Sequence, residues 1–187
     1  MRNLKHLLLL ALFGVLFVAC SGDDNGDTPE PINEEELITT MTVTLTPVTG
    51  DGIVVLSKVD TDGDGSTAPV VNVEGTLVTG LAYSGSIVLL DETETPAGNI
   101  TAEVREESNE HQFIFATDDN LDVAIEYDDI DGNGNPVGLE FNLIAGEPST
   151  GNLTIVLRHE PTKPNDGTLD GAGGETDVEG TFELTVE

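Results

Sequence analysis

Cysteine is almost absent from this chain, since Cys20 is the single one among 187 residues. No intramolecular disulfide can form, so the fold has to hold without covalent cross-links. Large aromatic side chains are also scarce, with no tryptophan and an aromatic content of 4%. We therefore expect one modest core that is built mainly from aliphatic residues.

Positively charged residues are also few. Six Lys and Arg residues stand against 36 Asp and Glu residues, which gives a formal net charge of −30. Such a chain repels a phosphate backbone, which excludes nucleic acid as a partner and disfavours an anionic membrane surface. Divalent cations and basic partners are favoured instead.

The usual catalytic signatures are missing as well. The sequence contains no G-x-S-x-G segment, and its one thiol, that of Cys20, is predicted below to carry lipid. Two tyrosines and no tryptophan provide no aromatic platform for a sugar. The sequence therefore predicts a protein that is not an enzyme.

Residues 1–19 have the pattern of a targeting segment. Arg2 and Lys5 give a positive start, and a twelve-residue apolar stretch follows from Leu7 to Val18, too short to span a bilayer as a helix. A small residue directly before Cys20 resembles a bacterial lipobox, in which the cysteine is acylated and becomes the mature N-terminus. We predict a lipoprotein signal peptide over 1–19 and lipidation of Cys20.

Residues 20–35 are predicted to be a disordered acidic tether. Pro29 and Pro31 lie among many acids and few apolar residues, so the segment cannot bury surface. The run Ser21–Asp27 resembles the acidic export signal that follows the lipidated cysteine in surface lipoproteins of Bacteroidota. That resemblance implies an outer-membrane location with exposure on the cell surface.

Residues 36–187 contain short β-branched or alternating runs between clusters of Gly, Asp, Asn and Pro, which is typical of an all-β fold. We predict a single domain that is an immunoglobulin-like, Greek-key β-sandwich of about 8–9 strands. One short helix, Asn99–Glu110, is expected to cross between the sheets, with Asn99 as its cap. The nine predicted strands are Leu37–Thr46, Ile53–Val59, Val70–Leu77, Tyr83–Leu90, Gln112–Ala116, Leu121–Tyr127, Gly138–Ile144, Leu153–His159 and Val178–Val186.

One loop has the residue spacing of an EF-hand calcium loop. Asp129, Asp131, Asn133 and Glu140 occupy positions that supply oxygen ligands in that motif, and Gly134 permits the sharp bend. The flanking runs are predicted strands, so a true EF-hand with two helices is not expected. The alternative is a β-hairpin connection, in which Asp, Asn and Gly serve the turn itself.

A second loop repeats the acidic spacing. Asp60, Asp62 and Asp64 follow a predicted strand, but no acid stands at the twelfth position of the motif. Three carboxylates so close together repel each other unless they are solvated or bridged by a cation. Calcium and an ordinary solvated turn both remain open here.

Two histidines follow Cys20, and each has an acid or an amide beside it. His111 and His159 lie at the ends of predicted strands, and two imidazoles with nearby carboxylates suit zinc, or haem as a metal-bearing ligand. Chain order does not establish that they meet. The alternative is that each imidazole simply forms a hydrogen bond.

Four segments carry a wider resemblance: Glu34–Thr40, Asn109–Phe113, Arg158–Pro161 and Ala172–Asp177. Together they resemble a family of small Bacteroidota-type surface lipoproteins whose members bear a type 1 periplasmic-binding fold name. The resemblance implies an accessory to TonB-dependent outer-membrane receptors, which take up metal chelates or haem. Alternating β/α units are absent from the sequence, so we expect the sandwich and not the fold in that name.

The combined expectation is a lipid-anchored, non-catalytic binding module on the cell surface. It would capture a metal ion or a metal-bearing ligand for an outer-membrane receptor. The alternative is a structural or adhesive surface lipoprotein that calcium stabilises through its acidic loops. The two hypotheses differ at the histidines, because capture requires that they converge.

Overall fold

Nine β-strands and two short helices form in the computed structural model, which describes residues 36–61 and 67–187. The predicted signal peptide (1–19), Cys20 and the tether (20–35) lie outside the described residues, as do Asp62 and Asp64. The strands are β1 Thr40–Pro47, β2 Val54–Val59, β3 Val70–Glu74, β4 Ala82–Leu90, β5 His111–Thr117, β6 Val123–Tyr127, β7 Glu140–Ala145, β8 Ser149–His159 and β9 Glu175–Val186. The helices are α1 Ile100–Glu106 and α2 Leu169–Ala172.

The strands form two antiparallel sheets. One has six strands in the order β3-β2-β1-β4-β7-β6, and the other has three in the order β5-β8-β9. Strand β4 lies beside β1 and not beside β3, which is the strand order of a Greek key. The predicted all-β sandwich is therefore confirmed, with six and three strands in its two layers.

The core lies between the sheets and follows the alternation of the sequence. Met41, Val43 and Leu45 of β1 are fully buried, while the threonines between them face outward. Phe182 and Leu184 of β9 are buried from the opposite sheet and belong to the same apolar cluster. Because buried and more exposed residues alternate along β1 and along most of β9, neither strand can slip by one residue without exposing its core side chains.

Helix α1 carries the chain from the six-stranded sheet to the three-stranded sheet, as predicted. The Asn99 side chain accepts a hydrogen bond from the Ala102 N–H at 3.2 Å, which caps the helix. Ile100 and Val104 are one turn apart and both buried. The helix ends at Glu106, earlier than the predicted Glu110, and clustered acids at its C-terminal end oppose the helix dipole.

Neither helix in the described part of the chain is long and apolar enough to cross a membrane.

Candidate metal centre

His111 and His159 meet at one end of the three-stranded sheet. They are Cα partners in the pairing of β5 with β8, and their ring centroids are 4.6 Å apart. His111 has no exposed surface and His159 is 4% exposed. The convergence that metal capture requires is therefore present.

Two carboxylates complete the group, and the sequence did not single out either of them as a ligand. Glu36 Oε1 is 3.1 Å from His111 Nε2, and Glu36 Oε2 is 3.8 Å from His159 Nδ1. Asp177 oxygens lie 3.7 Å from the same two nitrogens. The Glu36 and Asp177 side chains are 7% and 0% exposed, so all four groups are withdrawn from water.

A β-bulge turns Asp177 toward the interior. Leu157 pairs with Val178 but Arg158 pairs with Thr176, which leaves Asp177 as the extra residue on β9. Simple alternation would place Asp177 on the face opposite the buried Val178, whereas the bulge directs both side chains inward. The predicted strand Val178–Val186 began too late to include this residue, because β9 already begins at Glu175.

The turn before β9 packs closely against the backbone of His159 and is held there by hydrogen bonds from Arg158. Gly174 has a φ of 70°, and a Cβ there would overlap the carbonyl oxygen of His159. Arg158 Nε donates to the Gly173 carbonyl at 2.7 Å, and Arg158 Nη2 donates to the Gly174 carbonyl at 2.5 Å. Glycine and arginine together hold the start of β9, and therefore Asp177, next to β8.

Glu36 lies just before β1, on the side of the six-stranded sheet. Ile38 is buried, and the Thr39 N–H donates to the Leu90 carbonyl at 3.0 Å, which aligns this segment with β1 and β4. The cluster therefore joins the two layers of the sandwich, with one ligand group from the six-stranded side and three from the three-stranded sheet.

The His111 ring has a defined tautomer. Its Nδ1 is 3.2 Å from the Glu107 carbonyl oxygen, which can only accept, so Nδ1 carries the proton. Nε2 then faces the two carboxylates and is the nitrogen available to a metal ion. A ring nitrogen held by a backbone carbonyl is the usual support of a metal-binding imidazole.

The spacing of the group suits a four-coordinate transition metal. Bonds of about 2.1 Å to a tetrahedral ion imply ligand atoms roughly 3.4 Å apart, and the four measured nitrogen–oxygen distances run from 3.1 to 3.8 Å. Taking one donor atom from each residue, all four lie within 4.8 Å of one another. Imidazole nitrogen and carboxylate oxygen favour zinc or a neighbouring divalent transition metal over calcium, which takes six to eight oxygens.

Several buried polar atoms that form no hydrogen bond face the space between the four side chains. Glu36 Oε2, His111 Nε2 and His159 Nδ1 are buried and form no hydrogen bond of acceptable geometry. Buried polar atoms are costly to leave in that state. A cation between them would satisfy all three.

The predicted calcium ligands Asp129, Asp131, Asn133 and Glu140 lie in and beside the connection between the paired strands β6 and β7. Asp129 accepts hydrogen bonds from the Gly138 and Glu140 N–H groups at 2.6 and 3.2 Å. Asn133 Nδ2 donates to Asn109 Oδ1. The Glu140 carboxylate pairs with Arg105, and Ile130 bridges to Pro136 across the turn.

Asp131 is buried and meets a cation that the chain supplies. Lys163 Nζ donates to Asp131 Oδ2 at 3.2 Å, and also to the carbonyls of Ser108 and His111 at 2.8 and 2.6 Å. Burial lowers the pKa of the Lys163 ammonium, and Asp131 opposes that shift. Among the described acids and histidines, Asp129, Asp131 and Glu140 form no group around one point, and a calcium site formed by these residues with Asn133 stays a prediction.

The second acidic loop is described only at its start. Asp60 follows β2, and its N–H donates to the Thr39 carbonyl at 2.7 Å. Because Asp62 and Asp64 lie outside the described residues, a calcium site formed by Asp60, Asp62 and Asp64 stays a prediction.

The fold and the site define a two-layer β-sandwich with a buried group of metal-ligand type. No protein-family model matches the chain, and no curated protein or solved structure is significantly similar to it. Each of the four segments behind the lipoprotein resemblance supplies one member of the group. That coincidence is the signal by which Glu36 and Asp177 could have been found.

Proposed function

We propose that this protein is a non-catalytic, metal-binding surface lipoprotein whose sandwich holds one divalent transition-metal ion, with zinc as the best match. The observation that carries the proposal is the buried convergence of Glu36, His111, His159 and Asp177. Two imidazoles and two carboxylates can fill a tetrahedral shell without water. Catalytic zinc sites usually keep one position open, so a closed set of four argues for binding and not for reaction.

The geometry favours a bare ion over haem. A haem iron needs open space at the nitrogen that binds it. Here carboxylate oxygens stand 3.1–3.8 Å from the inward-facing nitrogens of His111 and His159. An ion fits between these atoms, whereas a porphyrin would have to displace both acids and separate the sheets.

The cellular setting of the proposal rests on sequence features. The lipobox-like end of the leader and the acidic run after Cys20 support a lipid anchor on the outer membrane, exposed at the cell surface. The resemblance to lipoproteins that accompany TonB-dependent receptors supports delivery of the ion to such a receptor. An excess of acid, with a formal net charge of −30, concentrates divalent cations near the protein.

A structural role is the second candidate, and a specific observation favours it. The ligand group spans both layers of the sandwich, so a permanently bound ion would cross-link the two layers. Delivery to a receptor requires that the ion dissociates again, whereas a structural role requires that it stays bound.

Metal binding is tested on the whole chain, purified in detergent and stripped of metal. We expect calorimetric titration to give one Zn²⁺ per chain, and Ca²⁺ not to compete for the site. The double variant His111→Ala, His159→Ala should lose this binding. The matched control is Glu183→Ala, which removes an exposed acid from β9 and should bind zinc as the parent does. Equal zinc stoichiometry in the double variant would rule out the site.

A further inference from the structure

Three of the four ligand groups are held firmly by one sheet. His111 and His159 are paired in the β5–β8 ladder, and the His111 carbonyl also accepts a hydrogen bond from the Lys163 ammonium at 2.6 Å. Asp177 sits in the twelve-residue strand β9, next to the turn that Arg158 fixes. These three side chains form a pre-organised tripod.

Glu36 is held differently. It lies outside any strand, four residues before β1, and comes from the opposite side of the sandwich. Within the described part of the chain, Thr39 is the first residue of this segment to form backbone hydrogen bonds. The Glu36 Oε2 atom is buried without a hydrogen bond. Within the described residues, the burial of Ile38, the backbone contacts of Thr39 and the contact of Glu36 Oε1 with His111 Nε2 hold this carboxylate in place.

We propose that Glu36 is the exchangeable ligand of the metal centre. When Glu36 swings out, a His111–His159–Asp177 tripod keeps the ion and one coordination position opens. The ion then passes by ligand exchange to an incoming carboxylate or imidazole of an acceptor, without opening of the two sheets. This inference rests on the proposed function. It distinguishes an ion that is delivered to an acceptor from an ion that stays bound as a structural cross-link.

The step is a substitution at the metal with no change of oxidation state. The bond from the ion to the Glu36 carboxylate breaks and a bond to the incoming donor forms. Departure then requires loss of the three remaining bonds. Two imidazoles with one carboxylate are a recognised open tripod for divalent transition metals.

The test compares the release of zinc from two carboxylate variants of the whole chain. Zinc-loaded protein is mixed with an excess of a chromogenic chelator, and the rate of colour development is recorded. Glu36→Ala should still bind one Zn²⁺ per chain but release it at least about 10-fold faster than the parent, because loss of a group that merely supports a ligand already weakens metal sites roughly 10–100-fold. Asp177→Ala should lose stoichiometric binding, because it leaves two imidazoles and the weakly held Glu36. Glu183→Ala should release zinc at the parental rate.

A second readout identifies the opened position. Co²⁺ replaces zinc, and imidazole is added while the visible spectrum is followed. The spectrum of Glu36→Ala should change with saturation, whereas the parent should respond only at much higher imidazole concentrations.

The outcomes separate this inference from the proposed function. Failure of the parent to bind zinc would overturn both. Zinc binding by the parent, with equal loss of affinity in Glu36→Ala and Asp177→Ala, would overturn only the exchangeable role of Glu36. A Co²⁺ spectrum of Glu36→Ala that imidazole leaves unchanged would do the same.

Discussion

Gly174 is the position at which a single added methyl group should disturb both the stability of the fold and the candidate metal centre. Its φ of 70° is costly for a residue with a Cβ, at about 1–2 kcal/mol. The added Cβ would also overlap the backbone oxygen of His159, which cannot rotate away. Overpacking of this kind costs about 1–3 kcal/mol more. We expect Gly174→Ala to lower the free energy of unfolding by a total of roughly 2–5 kcal/mol.

The matched control is Gly167→Ala. Gly167 has a similar φ of 78°, but a Cβ there would meet no atom within 4 Å. This variant should lose only the strain contribution, about 1–2 kcal/mol. Urea unfolding of metal-free protein measures both values. In addition, Gly174→Ala alone should bind zinc more weakly, because His159 and the start of β9 must shift. Equal destabilisation of the two variants, with equal zinc affinity, would refute the reasoning.

Three other substitutions test the polar and apolar supports of the fold. Burial acts to raise the pKa of Asp131, but hydrogen bonds from Asn135, Asn133 and Lys163 outweigh it and the net pKa is lowered. Asp131→Asn should therefore be less stable than the parent at neutral pH, and urea titrations should show the difference fading as the pH falls below about 4. Lys163→Met should cost about 3 kcal/mol or more by leaving buried Asp131 unpaired, and Asp131→Asn in the same chain should restore part of that loss. Phe182→Ala should cost about 3–5 kcal/mol in thermal or urea unfolding, against about 0.5 kcal/mol or less for the exposed Val88→Ala.

Local sequence was sufficient to predict the strands, because a half-buried strand repeats its pattern every two residues. Met41, Val43 and Leu45 show this in β1, where the alternation alone identifies the buried face. The cap and the buried pair of helix α1 were likewise local signals. The division into six and three strands was not predictable, since it depends on which distant strands pair.

The candidate metal centre was only half predictable for the same reason. Histidine is rare enough in this chain that His111 and His159 stood out, and the β5–β8 pairing then brought them together. Asp177 was one acid among 36, and the bulge that turns it inward breaks the alternation on which strand prediction depends. Glu36 reaches the site only because the two sheets pack, a contact that no local pattern records.

The residues of the calcium motif have two uses, and the motif alone does not distinguish between them. Asp, Asn and Gly at alternate positions can surround an ion, but they also stabilise a tight turn through hydrogen bonds to its own backbone. Here Lys163, 32 residues further along the chain, provides the positive charge for Asp131. A motif within one loop could not reveal a partner at that distance.

The placement of the ligand group at both ends of the domain has a consequence for the unfolded chain. An ion shared by Glu36 and Asp177 would close a loop of about 140 residues. If a closure of this length restricts the denatured ensemble as a disulfide does, it would be worth at most roughly 5 kcal/mol in the chain-entropy model. A protein that lacks a second cysteine would thereby gain a reversible cross-link, made and broken by the supply of metal and not by redox chemistry.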